Sequence, residues 1–474
     1  MVTNSGNLAQ PQQPLNREKT SHALAMFAKL LCSGSFVVGR DPEEFFEHDI
    51  RTHVRPEGNP FDWDEIEIDI DRQRQEVTLS ARGISRTARC HGGQGCTIIP
   101  EGSDEVHFMP EPVTPHVPDP ETTPWPMGDL LPDDPLPPEV DGDAIEAAFD
   151  FALDDDALPK PQRTRALVVL YKDRLIGERY APGFDNETRH VSWSQGKSIT
   201  SALIGLLVKD GHFTVDQPAP VEEWQGMDDP RRAIRMADLL NMASGLDFVR
   251  AQDDDRLELG WTRSDDHMYI YFGAINVFEH SISRPLEYPP GTVWRYRNGD
   301  TLTLGALVRR TVEARGEDYL TYPQRALFDK LGMRNMVLET DPWGNFIMTG
   351  YDYGTARDWA RFGLLHLRDG VWPGAPSGSG ERILPEGWVD FISTPAPAAE
   401  EQQYGGQFWL NAGGRHPDIP RDAFWAAGAW GQVTMAIPSR DMVIVRLGHA
   451  QYADDSFDVY LNDVYGRILR AVRG

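Results

Sequence analysis

Strand-like segments cluster at the two ends of the region 142–474, with helical patterns between them. That arrangement admits few folds. At the front, "ALVVLYKDRLIGERY" reads as two strands joined by a Lys172-Asp173 turn. At the back, "YGGQFWLN", "QVTMAIP" and "DMVIVRLG" read as strands again. Between them "SITSALIGLLVKDG", "MADLLNMA", "TLTLGALVRRTVEA" and "ARDWARFGLLHLRDG" carry helical spacing, the first ending at Gly211. "DAIEAAFDFAL" reads as an opening helix and "VYLNDVYGRILRAV" as a closing one. The pattern predicts an α/β (α+β) domain over 142–474. One antiparallel sheet is built from both ends of the domain and flanked by helices, around a helical insertion at about 195–390. No internal repeat is visible.

The preceding residues divide into three parts. Residues 1–20 are polar and predict a disordered tail. Residues 21–107 predict an N-terminal extension. Within it, "ALAMFAKLLCSGSFVV" reads as a packed amphipathic helix followed by a strand, and "IEIDIDRQRQEVTLSARG" as a hairpin. Residues 108–141 are dense in proline and acid, which excludes helix and sheet interior and predicts an extended connector. Trp125 and Met127 give part of it a means of lying along another surface. The start of the chain has no apolar core, so no signal peptide is expected, and the apolar run is interrupted by Lys29 and Gly34. A cytoplasmic protein is the expectation.

The 474 residues carry a formal charge of −27. Such a surface repels phosphate backbones and anionic lipid, which argues against nucleic-acid and membrane partners. The three cysteines are too few for a disulfide framework. Cys90 and Cys96 flank "HGGQG". A pair between them, or a metal site with His91, competes with a simple turn between two strands, and the turn is favoured because two Cys and one His make an incomplete zinc set.

"WSQGKSITSAL", Trp193–Leu203, has two readings. Gly196-Lys197-Ser198 resembles the end of a phosphate-binding loop, but the first glycine of that loop would fall on Val191, whose side chain obstructs the backbone approach to phosphate. The other reading is Ser194 with Lys197 one helical turn later. Residues i and i+3 share a helix face, so the lysine can reach the hydroxyl. Burial and the positive helix end favour a neutral lysine, which can take the serine proton. A second segment, "YPPGTVWRYRNGD", adds Tyr296 and Asn298 before another apolar helix. A tyrosine beside such a pair can shuttle a proton, and an asparagine amide can hold the lysine or a substrate carbonyl.

Taken in order, "SWSQGKSITSALIGLLVKDG", "IRMADLLNMASGL", "YPPGTVWRYRN", "ALFDKLGMRNM", "GYDYGTARDWARFGLLHLRDG" and "FWAAGAWGQVTMAIPSRDMVIVRLG" resemble the landmarks of the serine β-lactamase-related superfamily. The branch is that of class C enzymes and family VIII carboxylesterases, which includes 6-aminohexanoate-dimer hydrolases. The resemblance covers about 142–474 and implies a serine β-lactamase/DD-peptidase-like fold. It implies Ser194 as nucleophile, Lys197 as general base, Tyr296 as proton shuttle and Asn298 in support. It also implies an oxyanion hole made by the backbone N–H groups of Ser194 and Ala429, with Gln432 as the second donor if the alignment shifts. Gly428, Trp430 and Gln432 become candidates for the substrate cleft, with a core role for Trp430 as an equal alternative.

One departure bears on substrate. The family usually places Lys or His at the start of the third motif, and here that residue is Ala426. Carboxylate-bearing β-lactams and D-Ala-D-Ala peptides are therefore poor candidates, and neutral small-molecule esters or amides better ones. The acidic loop 247–273 borders the cleft in such enzymes and favours neutral or cationic substrates, unless its acids are simply solvated. The expectation is an acyl-enzyme serine hydrolase needing no metal or organic cofactor. The alternatives are a β-lactamase or D-amino-acid peptidase, or a non-catalytic binding protein that kept the fold. Nothing in the extension points to chemistry, and 21–140 is a candidate contact surface for a homo-oligomer.

Overall fold

The computed structural model describes residues 17–52, 61–158, 160–251, 256–374, 380–450 and 456–473. Most of the 1–20 tail lies outside these residues, but Arg17–Thr20 already belong to a helix, α1 (Arg17–Ser33). The helix is buried almost all round rather than amphipathic. The expected strand after it is instead a π-helical turn, Gly34–Val38, closed by Gly39 at φ +81°. Gly34 permits this: a Cβ there would lie 2.6 Å from the Phe45 ring. The run 17–38 is long and apolar enough to cross a membrane by composition, and 83% of that apolar window is buried inside the protein.

The predicted hairpin forms as β1 (Glu67–Asp71) and β2 (Glu76–Ala81). It extends through β3 (Ile84–Cys90) and β4 (Cys96–Ile98) into a four-stranded antiparallel sheet packed against α1. "HGGQG" is the turn between β3 and β4, with Gly92 and Gly95 at positive φ. Cys90 and Cys96 face one another across that pair, but they are not bonded. Cys96 is joined to Cys32 of α1, and Cys90 is a free thiol. Packing of α1 on the sheet brings together two cysteines 64 residues apart, a proximity no local spacing encodes. No group of three metal-ligating side chains occurs among the described residues.

The connector is extended only in part, for 119–130 fold back on themselves, with the Gly128 N–H donating to the Pro124 carbonyl and the Trp125 N–H to the Leu130 carbonyl. Trp125 and Met127 pack against the core as anticipated. The Trp125 indole donates to the Asp173 carbonyl at 3.0 Å. Arg361, 1% exposed, donates to the carbonyls of Pro126 (2.7 Å) and Gly128 (2.8 Å) and to Asp129 (2.5 Å), while its guanidinium covers the Trp125 ring.

The second sheet comes from both ends of the remaining chain. After α2 (Gly142–Leu153), β5 (Thr164–Tyr171) and β6 (Arg174–Tyr180) form the first hairpin, with Lys172 and Asp173 both at positive φ. Short β7 (His190–Val191) then leads into α3 (Gly196–Lys209), and α4 (Asn298–Ala314) lies in the helical lobe. β8 (Val337–Leu338) and β9 (Asp352–Gly354) complete a three-stranded sheet in the order β7-β9-β8. After α5 (Ala356–Leu367) come β10 (Trp409–Leu410), β11 (Phe424–Gly428), β12 (Gln432–Ile437), β13 (Met442–Gly448) and α6 (Ser456–Ala471). The large sheet is antiparallel in the order β10-β11-β12-β13-β5-β6, so the last strand of the chain pairs with the first of the domain, Ile444 opposite Val169. α2 and α6 cover one face, and α5 covers the other. Both faces are buried, so "MVIVRLG" is buried throughout and, Arg446 apart, apolar rather than alternating. The strand read over "YGGQFWLN" shrinks to Trp409–Leu410, because Gly405 turns against Ile392, where a Cβ would lie 2.0 Å from the carbonyl oxygen.

The connector is thus fastened by Arg361 together with Arg334 and Arg357, which also reach Met127 and Asp129. Arg361→Leu strands two carbonyls and weakens the hold on Asp129. Thermal unfolding should report a loss of about 3 kcal/mol, with faster limited proteolysis within 108–141.

Candidate active site

Ser194 sits where a 3-10 turn (Trp193–Gln195) runs into α3. Three contacts set that turn. The Ser192 N–H donates to the Asp352 carbonyl at 2.6 Å, and Ser192 Oγ lies 3.0 Å from Asp352 Oδ2. Trp193 adopts φ +47°, a conformation that costs a non-glycine residue about 1–3 kcal/mol and persists only where packing over-determines it. Gly196 passes so close to Asp352 that a Cβ would lie 1.8 Å from its Oδ2. Glycine in "SQGK" is therefore a packing requirement.

Lys197 Nζ lies 3.0 Å from Ser194 Oγ, so the pair read from the sequence is formed. The lysine is 1% exposed, whereas Ser194 is only half-buried and reachable. Burial, then the Arg250 guanidinium, push the Lys197 pKa well below its ordinary value, against a smaller opposing pull from Asp352. Burial also drives Asp352 well above the ordinary carboxylate range and His267 well below the ordinary imidazole range. Burial thus moves all three groups toward their uncharged forms.

The Thr349 carbonyl is the hub of the pair. It lies 3.4 Å from Lys197 Nζ and 3.5 Å from Ser194 Oγ, and accepts from the Tyr271 hydroxyl at 2.6 Å. Tyr296 lies across the site, with Lys197 Nζ 4.8 Å from its ring centroid, and packs on Tyr404 and Trp409. It is half-buried, unlike the enclosed Tyr271. Asn298 is fully buried and donates to the His267 carbonyl (2.8 Å) and the Tyr271 hydroxyl (3.1 Å). Both of its N–H groups are committed there, so it braces Tyr271.

The end of β11 closes the site from the other side. A Cβ on Gly428 would lie 2.0 Å from the Ser192 carbonyl oxygen, so this strand abuts the nucleophile segment directly. The turn Ala429–Gly431 follows, with Trp430 at φ +56°. Its carbonyls are all drawn inward. The Gln432 amide donates to those of Ala429 (3.0 Å), Trp430 (3.1 Å) and Gly448 (2.6 Å), and Arg446 donates to those of Trp430 (3.0 Å) and Gly431 (2.7 Å). Gln432 is therefore a brace for this turn, and its side chain does not enter the cleft at Ser194. Trp430 packs between Trp193 (4.6 Å) and His449 (5.5 Å, nearly parallel), which fits the core role. Gly428, Ala429, Trp430 and Gln432 also border a cavity of about 270 Å³. Ser194, Lys197 and Tyr296 do not line it.

Sequence reading passed over Thr349, Asp352, Tyr271 and Arg250. The last two fall in the loop 247–273 that was expected to border the cleft, so the signal was positional. Thr349 acts through a carbonyl, which no sequence pattern marks. Two acids of that loop, Asp265 and Asp266, are buried and accept backbone N–H groups of Ala251 and Val249. They are structural, whereas Asp253, Asp254 and Asp255 lie outside the described residues. Ala426 is buried in the sheet face, so the third motif offers no cation.

If Gln432 sets the direction of the turn, Gln432→Leu should lower kcat on an activated ester roughly tenfold or more with little change in KM, as steady-state kinetics will show.

The Beta-lactamase family model matches residues 161–465. A 6-aminohexanoate-dimer hydrolase of Paenarthrobacter ureafaciens is 27% identical over 311 residues, 60% of this chain and 72% of that protein. A solved Bacillus anthracis structure, provisionally named a 6-aminohexanoate-dimer hydrolase, superposes with TM-score 0.54 at 23% identity, covering 68% of this chain and 81% of that one. A Bacteroides dorei structure, provisionally named a β-lactamase, gives TM-score 0.52 at 18% identity, covering 70% and 99%. The fold is that shared by these two structures, and the chain belongs to the Beta-lactamase family.

Proposed function

We propose that the protein is a serine hydrolase that cleaves an ester or amide bond of a small molecule through an acyl-enzyme. One observation carries the reading: Lys197, enclosed and held toward its neutral form, lies 3.0 Å from the accessible hydroxyl of Ser194. Ser194 Oγ attacks the carbonyl carbon as its proton passes to Lys197 Nζ. The oxyanion is received by the N–H groups of Ser194 and Ala429. Tyr296, against the Lys197 ammonium, relays a proton to the departing alcohol or amine as the carbon–oxygen or carbon–nitrogen bond breaks. Water then attacks the acyl-enzyme, returning the proton to Ser194 and releasing the acid.

The substrate side favours a neutral ester or amide, because Ala426 stands where the family carries Lys or His. The 27% identical relative named as a 6-aminohexanoate-dimer hydrolase supports keeping amides beside esters. A second reading, in which Arg250 receives a substrate carboxylate, rests on its charge being felt at Lys197. A panel of p-nitrophenyl esters, β-lactam chromophores and short amides with free or blocked carboxylates separates these substrates. Preference for the free acids would favour the Arg250 reading.

A fluorophosphonate should add one equivalent to the wild type by intact mass and none to Ser194→Ala. Labelling that persists in Ser194→Ala refutes the assignment of the nucleophile. Lys197 must be neutral to accept the proton, so activity falls as pH drops through its pKa. Burial and Arg250 lower that pKa well below 10.5, so the rising limb of kcat/KM should lie far below pH 10. A limb at the ordinary lysine value would contradict the role.

A further inference from the structure

The N-terminal layer lies outside the matched region 161–465, yet it reaches the back of the nucleophile. Lys29, in the middle of α1 and 1% exposed, pairs with the fully buried Glu339 at 2.5 Å. Its ammonium also donates to the Cys96 carbonyl and lies 4.6 Å from the centroid of the Tyr351 ring. Glu339 accepts from Ser33 Oγ (2.7 Å) and the Cys96 N–H (2.9 Å). A Cβ on Gly95 would lie 2.5 Å from the Glu339 side chain, so the β3–β4 turn is shaped around this carboxylate. An ion pair this enclosed is a weak source of stability, because desolvation offsets most of the attraction, so its retention calls for another use.

Tyr351 supplies that use. It is fully buried at φ +64°, and its ring packs on Trp193 (5.3 Å) and Tyr271 (5.5 Å). Trp193 is the positive-φ residue immediately before Ser194. Tyr271 donates to the Thr349 carbonyl shared by Ser194 and Lys197. The Glu339 N–H donates to the Tyr351 carbonyl, so the ion pair fixes that backbone too. An ammonium over an aromatic face holds the ring in place electrostatically, and more strongly when both are desolvated.

We propose that Lys29 is a positioning residue for Ser194: it clamps Tyr351, which sets the strained Trp193 turn and, through Tyr271, the Thr349 carbonyl. The extension is then a functional part of the active site. This rests on the hydrolase reading above.

The test compares wild type with Lys29→Met and Lys29→Met/Glu339→Gln, the latter removing both charges so that none is left buried alone. Readouts are the rate of fluorophosphonate labelling by intact mass, kcat and KM on a p-nitrophenyl ester, and circular dichroism. The folded double variant should label and turn over roughly tenfold more slowly, with KM within about twofold of wild type. Lys29→Arg, which keeps a cation over the ring, should recover part of the rate. A folded double variant that labels at the wild-type rate overturns the proposal. Should that variant fail to fold, Tyr351→Leu keeps the ion pair and carries the same expectation, and an unchanged rate there overturns it equally. A wild type that is not labelled at all refutes the hydrolase reading instead.

Discussion

The Ser192 carbonyl and Gly428 come so close that no side chain fits between them. That contact joins the segment before α3 to the end of β11, more than two hundred residues later. It places the turn after Gly428 beside Ser194, and the turn keeps its shape only because Gln432 and Arg446 hold its carbonyls inward. Two tryptophans at positive φ, Trp193 and Trp430, meet ring to ring across the junction. Each backbone conformation is unfavourable alone, and their mutual packing with Tyr351 and His449 offsets the strain.

The second constraint is the dryness of the site. Lys197, Asp352 and His267 are enclosed, and burial moves each toward its uncharged form. A lysine in water is protonated and useless as a base at neutral pH. The same lysine in this setting is a proton acceptor, because the penalty of keeping a charge out of water exceeds the pull of a neighbour that is itself largely neutral. Lys29 and Glu339 show the opposite solution a few residues away, where two buried groups form an ion pair.

Much of this was legible in the chain. The Lys172-Asp173 hairpin, the apolar helix ending at Gly211, and the late strands "QVTMAIP" and "DMVIVRLG" follow from periodicity and turn chemistry, and they form where expected. Ser194 and Lys197 were legible because a three-residue spacing on a helix is a geometric statement in itself. Other features were not. The π turn at Gly34–Val38 depends on Phe45 filling the space a side chain would take. The strand at 404–411 shortens because Gly405 meets Ile392. The two- and three-residue strands β7, β8 and β9 carry no periodicity, although they position the nucleophile. Asn298 was recognised as part of the site, but the direction of its amide, toward Tyr271, depends on which helix packs in front of it.

The sequence by itself determined the class of chain, the sheet drawn from both ends of 142–474, and the serine-lysine pair. Each rests on local spacing or on residue types that suit one kind of backbone. Only the tertiary structure decided that Cys32 rather than Cys90 joins Cys96, that the Thr349 carbonyl is the hub of the site, and that an N-terminal lysine reaches the residue behind Ser194. Those are contacts between segments far apart in the chain, often made by backbone atoms, and they exist only once packing has brought the segments together.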